Sequence, residues 1–83
     1  MVDLAIITVL DNCDRVIGDF ELPVKITVSE LMGKIADVLM AMDDERYEGL
    51  NVTGIQYRNS RLQDNDTLYN NGIWDGSIIK LIY

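Results

Sequence analysis

The sequence predicts an α+β fold in which a mixed, curled sheet carries one amphipathic helix packed across one face. Two observations carry that expectation. Runs with strand character stand both before and after a single stretch of helical periodicity, giving the order β-β-α-β-β-β, and such an order is most economically satisfied by one sheet with the helix on one face. The final run, Ile78 to Tyr83, is apolar enough to belong in the middle of a sheet, and setting it beside the first run joins both strand groups. At 83 residues the chain suits a single domain over residues 1–83.

Leu4 to Leu10 is rich in β-branched residues and is closed by the turn-forming cluster Asp11-Asn12-Cys13-Asp14. Val16 to Leu22 follows, with Phe20 and Leu22 alternating against Asp19 and Glu21, and Pro23 removes a backbone donor where that strand should stop. These two runs predict a hairpin. Thr27-Val28-Ser29-Glu30 has the form of a capping box, in which the Thr27 hydroxyl takes a first-turn N–H and Glu30 reaches back to the Thr27 N–H. Leu31, Ile35, Leu39 and Met42 then fall on one helical face, widened by Val28 and Val38. The acids of Asp43-Asp44-Glu45 favour stopping there, near the negative end of the helix dipole.

An irregular connection is expected over Tyr47 to Asn51, then a third strand over Thr53 to Arg58 with a turn at Asn59-Ser60. Arg61-Leu62 reads as a very short fourth strand and Gln63 to Asp66 as polar loop. Asn70-Asn71-Gly72 and Asp75-Gly76 read as turns, with the closing strand after them.

Composition narrows the function. Seven basic residues against fourteen acidic ones give a net charge of −7, which repels phosphate backbones and anionic bilayers, so neither nucleic acid nor direct membrane insertion is expected. There is no histidine, and Ser29, Thr8 and Ser77 have no such base to activate them, so the chain reads as no enzyme. No cofactor or metal site is expected. Cys13 has no partner for an intramolecular bridge, stands alone as a soft ligand, and reads as a solvent-facing turn residue. Asp43-Asp44 and Asp64/Asp66 lack the spacing of a calcium loop and read as solvated loop ends. The opening Met1-Val2-Asp3-Leu4 has no basic n-region and no run reaches the 18 or so apolar residues of a membrane span, so the expected location is cytoplasmic.

The second half of the chain resembles ubiquitin-like domains. Gly54 to Leu62, Asp66-Thr67-Leu68, Gly72-Ile73, Asp75-Gly76-Ser77, Ile79 and Leu81 follow that superfamily's succession of acidic loop, Thr-Leu step, Gly-Ile turn, Asp-Gly turn and last strand. With the Thr27 cap and the helix, the likeness covers nearly the whole chain and implies the β-grasp fold. Size, the Leu22-Pro23-Val24-Lys25 approach to the helix and the Asp75-Gly76 turn ahead of Ile79-Lys80-Leu81 are similar to the YukD/EsaB-like proteins of bacterial type VII secretion systems. That resemblance implies a cytosolic accessory or regulatory protein that acts by binding, with a membrane or ATPase component of the secretion machinery as partner. Conjugation and sulfur-carrier chemistry in ubiquitin-like proteins need a C-terminal Gly-Gly, whereas this chain reads as ending at Ile82-Tyr83, so no conjugating role is expected.

Surplus apolar residues on the strands point to where binding would occur. If Leu4, Ile6, Leu10, Ile79 and Leu81 face the helix, then Ala5, Ile7, Val9, Ile78 and Ile82 form an apolar stripe on the open sheet face, where a sheet packed on one side is normally polar. Gln56 stands at the polar counterpart of ubiquitin's apolar patch, and Arg58 and Lys80 border the stripe with positive charge. The expected protein-binding residues are therefore Ile7, Val9, Gln56, Arg58, Trp74, Lys80 and Ile82, with Trp74 included because a turn offers little protein to bury it. Met32 and Met40 on the helix flank are lesser candidates. Two rivals remain: the same stripe as a homodimer interface in a protein with no secretion role, and a carrier whose Gly-Gly tail was lost or lies beyond this chain.

Overall fold

The computed structural model describes residues 3–83. The expectation drawn from Met1 and Val2, that no targeting segment opens the chain, lies outside them. Among the described residues, strands β1 (Leu4–Leu10), β2 (Val16–Pro23), β3 (Gly54–Tyr57), β4 (Ser60–Arg61) and β5 (Ile78–Ile82) form one sheet in the order β2-β1-β5-β3-β4. The pairing β1–β5 is parallel and the others are antiparallel, so the sheet is mixed, with the last strand at its centre as its apolar sequence requires. Helix α1 (Val28–Met42) covers one face, and the short helix α2 (Asp44–Tyr47) follows it.

The start of α1 is built from two segments distant in sequence, Thr27–Glu30 and Asp64–Asp66. The Thr27 hydroxyl oxygen accepts the Glu30 N–H at 3.2 Å and donates to the Glu30 carboxylate at 3.2 Å, so Glu30 closes the box through the hydroxyl, where its reach to the Thr27 N–H was expected. The Val28 and Ser29 N–H groups donate to the carbonyls of Asp66 and Asp64, which satisfies two donors that a helix leaves open. Asp66 in turn is held by Thr67 N–H at 2.8 Å and by the Asn70 and Asn71 amides at 3.1 Å each. These bonds to the charged form lower the Asp66 pKa, the Thr67 N–H most of all.

Val28, Leu31, Ile35 and Leu39 of α1 enter the core. Each such side chain contributes roughly 1.5–3 kcal/mol by leaving water. Met42 and Val38, expected on that face, are exposed. Asp43 ends α1 by donating its N–H to the Leu39 carbonyl, and its carboxylate accepts the Arg46 N–H to begin α2. A helical turn therefore occupies Asp44–Tyr47, where the sequence suggested a stop followed by irregular chain, and it delivers Tyr47 to the core.

The β3–β4 hairpin turns one residue earlier than expected. Arg58 and Asn59 take φ of 50° and 65°, leaving Ser60 paired with Tyr57. Two central residues in the left-handed region match the twist of a tight hairpin. Leu62 is buried and donates its N–H to Ile55 at 2.8 Å just beyond the bounds of β4. The turn expected at Asn70-Asn71-Gly72 is present as a 3-10 turn over Tyr69–Asn71, ended by Gly72 at φ 71°.

The largest correction concerns β1. Ala5, Ile7 and Val9 face the helix and are almost wholly buried, whereas Leu4 and Ile6 face outward at 47% and 54% exposure. Ile7 and Val9 thus belong to the core and cannot line an open surface. The register gives the reason. Ala5 and Ile7 lie opposite Leu22 and Phe20 of β2, and Val9 opposite Ile79 of β5, while Ile6 lies opposite Glu21 and Thr8 opposite Asp19. Apolar residues of neighbouring strands share the covered face, and the acids share the wet one. For β5 the expectation holds: Ile79 and Leu81 are fully buried, and Ile78 and Ile82 point outward.

Candidate functional site

The open face of the sheet is assembled from alternate residues of three strands. From β1 come Leu4, Ile6, Thr8 and Leu10; from β5, Ile78, Lys80 and Ile82; from β3, Gly54 and Gln56. The parallel register sets Ile78 beside Thr8 and Lys80 beside Leu10, and the antiparallel one sets Gln56 beside Lys80 and Ile82 beside Gly54. Ile6 and Ile78 are each more than half exposed.

Polar ties edge this apolar centre. The Thr8 hydroxyl donates to Asp19 at 2.6 Å. Lys80 pairs with Asp14 at 2.9 Å, an acid held at φ 65° in the β1–β2 turn, so the positive border expected at Lys80 is neutralised by its own chain. The guanidinium of Arg58 lies 5.2 Å from the Tyr57 ring centre on the exposed hairpin tip. Arg61 crosses from β4 to donate to the Thr53 carbonyl at 2.6 Å and lies over Gly54, where a Cβ would stand 2.9 Å from its Nε. Gly54 is thus fixed by what passes over it.

Of the expected binding residues, Gln56, Arg58 and Lys80 converge, together with Ile78 and Asp14, around a shallow depression of about 190 Å³. Ile82 stands on the same face, half-buried. Trp74 lies apart, at 41% exposure in the turn before β5, with its ring edge-on to Tyr69 at 5.4 Å and 80°. The Lys25 ammonium sits 4.8 Å from the Tyr69 ring centre and pairs with Asp3 at 2.6 Å. That turn is anchored to β1, since Ile6 N–H donates to the Asp75 carboxylate at 2.7 Å and Gly76 N–H to the Ile6 carbonyl at 3.0 Å. Trp74 is therefore fixed close to the strand that carries Ile6.

Residues missed from the sequence are Leu4 and Ile6, assigned there to the core. The signal was available: Thr8 has the same parity as both, and a polar residue in the middle of a strand marks the wet face. Of the lesser candidates, Met32 packs against the core and Met40 is exposed at 42%.

The acids singled out earlier serve the backbone. Besides Asp43 and Asp66, Asp11 is buried and accepts N–H bonds from Cys13 at 2.8 Å and Arg15 at 2.9 Å, which keeps the β1–β2 turn tight. The Arg15 N–H above all lowers the Asp11 pKa, against the opposing effect of burial. Cys13 is exposed, its Sγ 3.5 Å from the Asn12 side-chain oxygen. Among the described residues no group of three or more His, Cys, Asp or Glu converges as a metal site would, and no helix is long and apolar enough to cross a membrane.

A family model described as the YukD protein of the WXG100 protein secretion system matches residues 4–81. Among solved structures, the ubiquitin-like domain of the Mycobacterium tuberculosis type VII secretion protein EccD1 is similar at 19% identity and a TM-score of 0.75, over 98% of this chain and 99% of that one. The EccD5 ubiquitin-like domain of Mycobacterium xenopi gives 17% identity and a TM-score of 0.71, over 96% and 93%. The N-terminal ubiquitin-like domain of the 4931431F19Rik protein gives 20% identity and a TM-score of 0.74, over 99% of this chain and 76% of that one. The fold is thus the ubiquitin-like β-grasp. No curated protein sequence matches this one significantly.

Proposed function

The chain belongs to the YukD family of WXG100 secretion-system proteins, and from that premise we propose that it is a non-catalytic, non-conjugating binding module of a bacterial type VII secretion system. It works in the cytoplasm as an accessory or regulatory component, on a membrane or ATPase component of the machinery. Support for a secretion role comes from the family, and the fold is shared with ubiquitin-like domains of mycobacterial type VII proteins.

The observation that carries the binding reading is the open sheet face. Ile6 and Ile78 stand more than half exposed on a sheet whose other face already has its helix. An apolar surface rimmed by polar side chains favours a protein partner over water. Ile82, Gln56, Arg58 and Lys80 complete the surface, with Trp74 at its margin.

The test is affinity capture from a native bacterial lysate with the wild type and an Ile6→Asp/Ile78→Asp/Arg58→Glu variant that retains the native circular dichroism spectrum. Recovery of secretion-system ATPase or membrane components by the wild type alone supports the reading. Equal recovery by both overturns the surface assignment. The homodimer rival uses the same exposed isoleucines, and sedimentation separates it: a dimer that Ile78→Asp converts to a folded monomer, with no other protein captured, replaces the adaptor reading.

A further inference from the structure

On the opposite side of β1 from the surface just described, the sheet ends in an open edge. Among the described residues strand β2 pairs with β1 alone, and in an antiparallel edge strand alternate residues direct both N–H and C=O away from the sheet. A groove of about 800 Å³ follows this edge, between β2 and the exposed side of α1. Its apolar walls include Leu22, Pro23, Ile26 and Val38, with Val38 at 40% exposure. Among the described residues, three carboxylates, Glu21, Glu30 and Asp37, stand around them against one ammonium, Lys34.

The opposite edge offers no such place. Strand β4 is two residues long, and its Arg61 side chain is folded back onto the Thr53 carbonyl. The two edges therefore differ in length, in apolar lining and in charge.

We propose that the groove between β2 and α1 docks an extended segment of a partner protein, which adds to β2 as a further strand, sets apolar side chains against Leu22 and Val38, and directs lysine or arginine toward Glu21, Glu30 and Asp37. Free backbone groups supply affinity in this mode of recognition, and alternate side chains supply specificity. Charge identifies the occupant. A second copy of this chain brings a net charge of −7 to an acidic rim, whereas a basic segment is drawn to it. The groove meets the open sheet face only at its margin, through Leu4 and Glu21, and neither Ile6 nor Ile78 lines it, so the two proposals are tested by different residues.

The test is an NMR titration of the 15N-labelled protein with a capped peptide of four alternating valines and isoleucines flanked by two lysines at each end, and with a twin flanked by glutamates. The lysine peptide is expected to shift the amides of Asp19–Ile26 and Lys34–Val38, to slow hydrogen exchange along β2, and to bind at least about tenfold more tightly than its twin. In a Glu21→Lys/Asp37→Lys variant, at exposed positions and with all other shifts retained, the preference should invert. Equal binding of both peptides, no binding of either at millimolar concentration, or shifts centred on Ile6 and Ile78 would overturn the proposal. So would β2 shifts that follow dilution of the protein alone, which would make a second copy the occupant.

Discussion

The two faces of the sheet are built from similar residues and do opposite work. On the helix side Ala5, Ile7, Val9, Ile79 and Leu81 are buried without exception; on the open side Leu4, Ile6 and Ile78 are about half exposed. Isoleucine occurs on both, so residue type alone does not say which face is which. What separates them is the company each position keeps across the strands. Ile7 faces Phe20, whereas Ile6 faces Glu21.

That contrast is sharpest in stability. Ile7→Ala should lower the unfolding free energy by about 2–5 kcal/mol, because the methyl groups removed leave a cavity beneath α1. The same change at Ile6 should cost less than about 1 kcal/mol. Urea unfolding of both variants compares them directly, and equal losses would mean that the faces are assigned wrongly.

A smaller effect is expected where the open face is crossed by its own chain. Gly54→Ala places a methyl group 2.9 Å from Arg61 Nε and 3.2 Å from Ile82 Cδ1, so the guanidinium must move and its bond to Thr53 weakens. A loss of about 1 kcal/mol is expected, and Arg61→Ala in the same background should add little. Additive losses in the double variant would break that account.

The inner row of β1 continues into Asp11, the buried carboxylate. Its pKa is lowered in the folded chain, chiefly by the Arg15 N–H, so its contribution is present above the unfolded value near 4 and is lost as pH falls through the folded one. Between pH 6 and pH 3 the urea midpoint of the wild type should therefore fall further than that of Asp11→Asn. Parallel falls would assign the acid sensitivity elsewhere, Asp66 being next in line because its pKa is lowered too.

The least effect belongs to the Lys80–Asp14 pair. Asp14 is 72% exposed, and Asp14→Asn should leave stability within about 0.5 kcal/mol. It should, however, free Lys80 and make the open face more basic, which the salt dependence of partner capture would register.

Much of the fold was legible in the sequence because its signals were local. The Thr27 cap, the spacing of Leu31, Ile35 and Leu39, and the alternation in β2 each specify an element without reference to the rest. The central place of β5 followed from its apolar run. The orientation of β1 was not read, because five of its seven residues are large and aliphatic and either face can look apolar. Only Thr8 and the cross-strand partners break that degeneracy, and the partners become known with the register. Local turn chemistry explains the smaller misses: Arg58 in the left-handed region and the double capping role of Asp43 have no composition signal. The candidate site was legible on β3 and β5, misread on β1, and its tie from Lys80 to Asp14 depends on a turn conformation invisible in composition.

The parallel pairing of β1 with β5 also sets the order in which the chain can acquire its structure. Thr8 meets Ile78 across 70 positions of sequence, so the contact at the centre of the sheet is among the least local in the molecule. The β1–β2 hairpin and α1 can form early from near neighbours, but the sheet has no middle until the last strand arrives. Closing so long a loop costs entropy before the pairing returns any, which places the slow step of folding late. During synthesis, a chain halted before Ile78 would hold its helix over a sheet with an open seam, and native topology would become available only once Ile78–Ile82 has emerged from the ribosome.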